Sequence, residues 1–120
     1  MPFEEIIRTI SEEFTRAWNN WDKELLLRFL SNDIRLESPV VKEIYPENTR
    51  GEVRGKEQVS AYWDALALAR RNIKVRQISI KKNKRVVETI NEIIDTGQLI
   101  RETFILNEYG KILHLKYSYK

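Results

Sequence analysis

Apolar residues in the first third of the chain recur at steps of three and four. Ile6, Ile7, Ile10, Phe14, Ala17, Trp18 and Trp21 form one stripe on an otherwise charged segment, the signature of an amphipathic helix. Pro2 suits the start of that helix, and Glu4 and Glu5 complement its positive end. Asn19-Asn20 interrupts the pattern, and Asp22 is placed to cap a second, short helix. Leu25, Leu26, Phe29 and Leu30 make its apolar face before Ser31-Asn32-Asp33 ends it. From Ile34 the period drops to two, with Ile34, Leu36 and Ser38 on one face, which predicts a strand ending at Pro39. A polar stretch to Gly55 reads as a long loop, and Gly55 introduces a third helix with Val59, Tyr62, Trp63, Leu66 and Ala69 on its apolar face.

The last fifty residues carry no helical pattern. Ile73–Ile80, Arg85–Ile94, Gln98–Leu106 and Lys111–Tyr119 are β-rich runs separated by short turns at Lys82-Asn83-Lys84, Asp95-Thr96-Gly97 and Asn107-Glu108-Tyr109-Gly110. Such short connections predict an antiparallel meander. The order α-α-β-α-β-β-β-β lacks βαβ alternation and is α+β, in a single domain spanning residues 1–120.

Composition narrows the chemistry. The chain has no cysteine, which removes disulfides, thiolate nucleophiles and thiol-bound metals, and one histidine, which removes any His-rich metal site. Carboxylates, hydroxyls, tyrosines and lysines remain, and neither a metal nor a cofactor is expected. The net charge of +3 is unevenly spread. Residues 1–60 carry nine basic and twelve acidic side chains, residues 61–120 twelve and six. The start lacks the basic and apolar regions of a signal peptide, and no run approaches the roughly 18 apolar residues of a membrane span. A cytoplasmic protein with no membrane contact is the expectation.

Several short motifs fall in a familiar order. They are Trp18-Asn19-Asn20-Trp21-Asp22, then Leu30-Ser31-Asn32-Asp33-Ile34 leading to Glu37-Ser38-Pro39, then Gly51-Glu52-Val53-Arg54-Gly55-Lys56-Glu57, and finally Gly110-Lys111-Ile112. Together they cover nearly the whole chain and resemble the nuclear transport factor 2-like superfamily, especially its SnoaL-like and ketosteroid-isomerase-like branches. The resemblance implies a cone: three N-terminal helices packed into a strongly curved antiparallel sheet around an apolar pocket. Many relatives are homodimers, and a homodimer is expected here.

The same resemblance permits a residue-level test of isomerase chemistry. The base position at the end of the first strand holds Ser38, which cannot abstract a carbon-bound proton without an activating base of its own. The position of the tyrosine donor on the first helix holds Phe14. Only the carboxylic acid that the branch carries on the penultimate strand, kept neutral by its apolar site, is kept in type, as Glu102. Ketosteroid-type isomerisation is therefore not expected.

Glu102 is the principal catalytic candidate. It interrupts the apolar row Ile100, Phe104 and Leu106, and if that row faces the cone, burial raises its pKa. The competing reading is a glutamate at the pocket mouth, paired with an arginine or lysine. By resemblance, Leu113, Leu115, Tyr117 and Tyr119 of the last strand also face the pocket, with Ile112, His114, Lys116 and Ser118 opposite. Tyr117 and Tyr119 then offer apolar walls with polar tips, or else pack with their hydroxyls in water. Phe14, Trp18, Trp63, Phe104 and Leu115 are further candidate walls, shared with the core. Ser38 either orients a ligand or satisfies backbone at a strand end.

Residues 70–85 hold Arg70, Arg71, Lys74, Arg76, Lys81, Lys82, Lys84 and Arg85 with no acidic and no aromatic residue. An exposed strand that resists edge pairing accounts for this better than nucleic-acid binding, which is not expected. The leading reading is a small-molecule-binding cone for a hydrophobic or amphipathic ligand, with cofactor-free acid–base chemistry as its enzymatic form. A non-catalytic binding or dimerisation module is the alternative.

Overall fold

The computed structural model describes residues 3–70 and 72–119. The helix start assigned to Pro2 and the part of the basic stretch carried by Arg71 lie outside the described residues. Helices α1 (Phe3–Asn20) and α2 (Lys23–Arg28) lead into β1 (Leu30–Glu37), α3 (Pro39–Ile44), β2 (Glu52–Arg54) and α4 (Gly55–Arg70). The strands β3 (Val75–Asn83), β4 (Val86–Ile93), β5 (Leu99–Leu106) and β6 (Ile112–Tyr119) follow as an antiparallel meander. All six strands form one sheet in the order β2-β1-β6-β5-β4-β3, with helices against its inner face.

The α1–α2 corner is set by local chemistry. Asp22 N–H donates to Ala17 O at 3.0 Å and Trp21 N–H to Trp18 O at 3.3 Å, the paired bonds of a Schellman C-cap. The residue in the left-handed conformation is Trp21, at φ 53°, where glycine is the usual occupant. Asp22 then caps α2, its carboxylate accepting from Leu25 N at 3.1 Å. The C-cap of α1 and the N-cap of α2 thus lie side by side at Trp21 and Asp22, and the Trp21 ring rests against Trp18 at 5.8 Å and Trp63 at 4.9 Å.

Three expectations need correction. The segment read as a loop up to Gly55 contains α3 and β2. Ser38 and Pro39 end a strand, but they also stand as N-cap and first residue of a helix, and α3 buries Val40 and Val41. The sheet is not wholly antiparallel either. β1 begins at Leu30 and runs parallel to β6, with a register shift between Leu30 and Arg35 where the polar Ser31-Asn32-Asp33 sits. Finally, the alternation of the last strand is broken by a bulge. Ile105 pairs with His114 and Leu106 with Ile112, so Leu113 is the extra residue. It points outward and is 40% exposed, whereas Ile112 is fully buried, the reverse of the expected facing. A second bulge at Ile78 on β3 likewise turns an isoleucine out of phase. Bulges bend a strand and sharpen its twist, and here they help the sheet curl around α1 and α4.

The core lies between α1, α2, α4 and the sheet. Phe14 meets Phe104 edge-to-face at 5.0 Å, and both are buried with Ile10, Leu26, Ile34 and Leu115. Ala69 of the third predicted helix is exposed and contributes nothing to this face. At the other end, a Cβ on Gly110 would come within 2.8 Å of Ile6 Cδ1 at a φ of +78°, so any other residue there is strained and must push the Ile6 side chain aside.

Candidate functional site

The curl of the sheet leaves a cavity of about 80 Å³ between the C-terminal end of α1, α4 and the inner face of β3–β6. Trp18, Trp21, Leu66, Val75, Ile93 and Ile100 supply most of its apolar wall. Roughly 150 Å³ of dry apolar space accommodates benzene, so this volume suits a ligand of a few heavy atoms or one that extends through the mouth.

Glu102 sits on the cavity lining and is only 3% exposed. On β5 it lies directly between Thr89 of β4 and Tyr117 of β6. Thr89 Oγ1 donates to Glu102 Oε1 at 3.1 Å, and Asn91 Nδ2 reaches the same oxygen at 3.4 Å and Thr89 Oγ1 at 3.3 Å. The Tyr117 hydroxyl hydrogen-bonds the carboxyl and accepts from Trp18 Nε1 at 3.0 Å. Desolvation pushes the Glu102 pKa up to about 7, against the opposing pull of hydrogen bonds from Tyr117, Thr89, Asn91 and Trp18. Among the described residues every partner is neutral, so none of them holds the carboxylate in its charged form by ion pairing. The reading of a mouth glutamate paired with a cation is set aside. Burial and the adjacent carboxylate also push the Tyr117 hydroxyl well above its ordinary range.

A second polar group lies on the α3–α4 side. Ser38 is buried, caps α3 by accepting from Val40 N at 3.2 Å, and hydrogen-bonds the hydroxyls of Tyr62 and Tyr119. The backbone-satisfying reading of Ser38 is thus met by the cap on α3, and the residue also lines the cavity. Burial raises the pKa of both tyrosines, so each presents a neutral hydroxyl. Arg70 also lines the cavity, tied to Glu43 at 2.6 Å.

The candidates named from sequence divide in two. Trp18, Ser38, Glu102, Tyr117 and Tyr119 all line the cavity. Phe14, Trp63, Phe104 and Leu115 are packed behind it: the Trp63 ring backs Trp18 at 4.5 Å and Trp21 at 4.9 Å, and Phe14 closes on Phe104. They support the wall and do not touch its contents. Sequence reading missed Tyr62 and Trp21, taken only as core, and Asn91 with its partner Thr89. The signal for the last two was present: β4 turns Val87, Thr89, Asn91 and Ile93 inward, so two polar residues interrupt an apolar row beside Glu102. His114 faces outward and contacts Glu37 at 2.9 Å, away from the cavity. In the basic stretch, Arg70 pairs with Glu43, Arg76 with Glu92, and Lys74 donates to Asn19 O, while β3 itself is a sheet edge.

No protein-family model matches the chain, and no curated protein matches it by sequence. Solved structures do. One is a SnoaL-like protein of unknown function from Burkholderia thailandensis, 23% identical over 97% of this chain and 96% of that one, with a TM-score of 0.84. Another is an NTF2-like protein of unknown function from Burkholderia pseudomallei, 13% identical over 100% and 92%, with a TM-score of 0.78. A third is a computationally designed 17-OHP binder, 20% identical over 93% and 91%, with a TM-score of 0.68. At these identities the likeness is one of fold, and the chain has the nuclear transport factor 2-like cone fold that its motifs resemble.

Proposed function

We propose that the cone binds a small, largely apolar molecule and sets its polar group against Glu102. One observation carries this reading: a buried carboxyl with only neutral partners opens on an aromatic-walled cavity. A pKa near 7 leaves Glu102 able to hold or release a proton around neutral pH, the condition for general acid–base work. In its enzymatic form the site performs cofactor-free isomerisation, dehydration, cyclisation or hydrolysis. Glu102 acts as proton donor or acceptor, with Tyr117, Tyr119 and Ser38 placing substrate or water. Ketosteroid-type isomerisation stays outside the proposal, because Ser38 caps a helix where the base is needed and Phe14 is sealed in the core. The designed 17-OHP binder supports the capacity of this scaffold for ligands. A cytoplasmic homodimer belongs to the same proposal. Among the described residues, no helix is long and apolar enough to cross a membrane.

A non-catalytic module is the second reading, favoured by the small cavity volume. The test is a ¹H–¹⁵N titration of the protein with small cyclic alcohols and ketones. Binding is expected to move the indole Nε1–H signals of Trp18 and Trp21, with a pH dependence that Glu102→Gln removes. Unmoved cavity signals at saturating probe refute ligand binding. Binding that Glu102→Gln leaves unaltered at every pH favours the non-catalytic module.

A further inference from the structure

One stripe of α4 faces the cavity. Tyr62, Leu66 and Arg70 recur at steps of four along that helix, and all three line the cavity. Arg70 ends the stripe at the last residue of α4, where its long stem carries the guanidinium to the mouth. The side chain is 32% exposed, so a ligand can approach it from solvent. Among the described residues it is the one cation on the lining. Its charge works against the upward pKa shift of the Tyr62 and Tyr119 hydroxyls, so the guanidinium lies near both, and Ser38 hydrogen-bonds the same two hydroxyls. A cation and three hydroxyls thus stand together where the apolar wall ends. Glu43 takes one of the five guanidinium donors, at Nη2. Glu43 is 60% exposed and lies outside the lining. An ion pair this open adds little stability, so a second carboxylate on the remaining donors disturbs the fold little.

We infer that Arg70 reads an anionic group of the ligand, and that the ligand is a small apolar molecule carrying a carboxylate. Its apolar body lies along Trp18 and Trp21. Its carboxylate stays at the mouth, accepting from the guanidinium with one side still in water, and the planar fork of arginine matches that group. A single cation balances a single negative charge, which suits a carboxylate better than a phosphate dianion. This inference rests on the cavity being a small-molecule site, and it gives the ligand a second polar group besides the one set against Glu102.

Affinities of the whole chain for cyclopentanecarboxylate and cyclopentanecarboxamide at pH 6, read from the Trp18 and Trp21 indole signals, test it. The two probes share a shape and differ in charge, and at this pH Glu102 keeps its proton. The carboxylate is expected to bind about tenfold more tightly, because charge-assisted hydrogen bonds exceed neutral ones. In Arg70→Gln the ratio should fall to about one, mainly through weaker carboxylate binding. Glu43→Gln, which frees the guanidinium of its partner, should raise the ratio about threefold. That gain is read even if the Arg70 variant does not fold, and a cation that merely ends α4 would not produce it. Equal affinities in the unmodified protein, a carboxylate preference that survives Arg70→Gln, or a ratio that Glu43→Gln does not raise overturn the assignment of Arg70 while leaving the cavity a ligand site. Binding of neither probe overturns both.

Discussion

Two glutamates are buried on opposite faces of the same sheet, and they behave in opposite ways. Glu102 on the inner face is 3% exposed, and Glu52 on the outer face is 8% exposed. Glu52 lies between two arginines, with Arg35 Nε at 2.6 Å and Arg54 Nε at 2.9 Å. Arg35 continues to Glu37 at 2.7 Å, and the His114 ring contacts Glu37 at 2.9 Å. The Arg35 hydrogen bond holds the Glu52 pKa below its ordinary value, outweighing desolvation. Among the described residues Glu102 has no such partner, and desolvation wins. Exclusion from solvent alone therefore does not identify a reactive carboxyl; the charge of its neighbours does. The outer group is a structural brace across β2, β1 and β6. The inner one is a proton-holding group with a cavity in front of it.

The largest test of this contrast is Glu102→Gln. An unperturbed glutamate titrates at 4.5, and folding moves Glu102 to about 7. Between those values the folded state keeps a proton the unfolded state has lost, so stability falls as pH rises, by about 3 kcal/mol in all. Urea unfolding should show Glu102→Gln close to the unmodified protein at pH 4 and more stable by about 3 kcal/mol at pH 8. A parallel offset at every pH would remove the distinction between the two glutamates.

A smaller effect is expected at Thr89→Val, which deletes a donor to Glu102 and an acceptor for Asn91. It should cost about 1–2 kcal/mol in the same assay and push the Glu102 pKa higher still. Tyr117→Phe should also raise that pKa, since the Tyr117 hydrogen bond is the strongest of those lowering it. A fall in either variant would mean that these groups do not stabilise the carboxylate. The smallest effect belongs to the outer face. Glu52→Gln should weaken the protein only above the low pKa of Glu52, and the difference from the unmodified protein should vanish as pH falls through it. Because Arg35 and Arg54 are 41% and 61% exposed, 1 M salt should shrink that difference while leaving the Glu102 pH dependence in place. Equal salt sensitivity for both would contradict the assignment of a brace and a desolvated acid.

Much of this was legible in the sequence because its physics is local. Asp22 as a cap, Gly55 before a helix, and the short turns of the meander each act within a few residues. The glutamate in the row Ile100, Phe104 and Leu106 announced itself by breaking an alternation. What escaped depended on pairing between distant segments. β1 lies parallel to β6, which no local period encodes. Ile112 and Leu113 are both apolar, so alternation alone cannot say which one a bulge turns outward. Val40 and Val41 form part of α3 against their β-branched preference, because Ser38 and Pro39 start a turn of helix and the core takes both valines. At the site, Thr89 and Asn91 show in the sequence as polar breaks in the apolar row of β4, but their partner emerges only from the register that sets Thr89 opposite Glu102.

The most direct measurement is the titration of the Glu102 side-chain carboxyl by carbon-13 NMR in the unmodified protein. A buried acid with neutral partners predicts a midpoint near 7, well separated from the surface glutamates. A midpoint between 4 and 5 would mean that water or an unseen cation reaches the carboxyl, and the inner face would then hold no neutral acid for a ligand to meet.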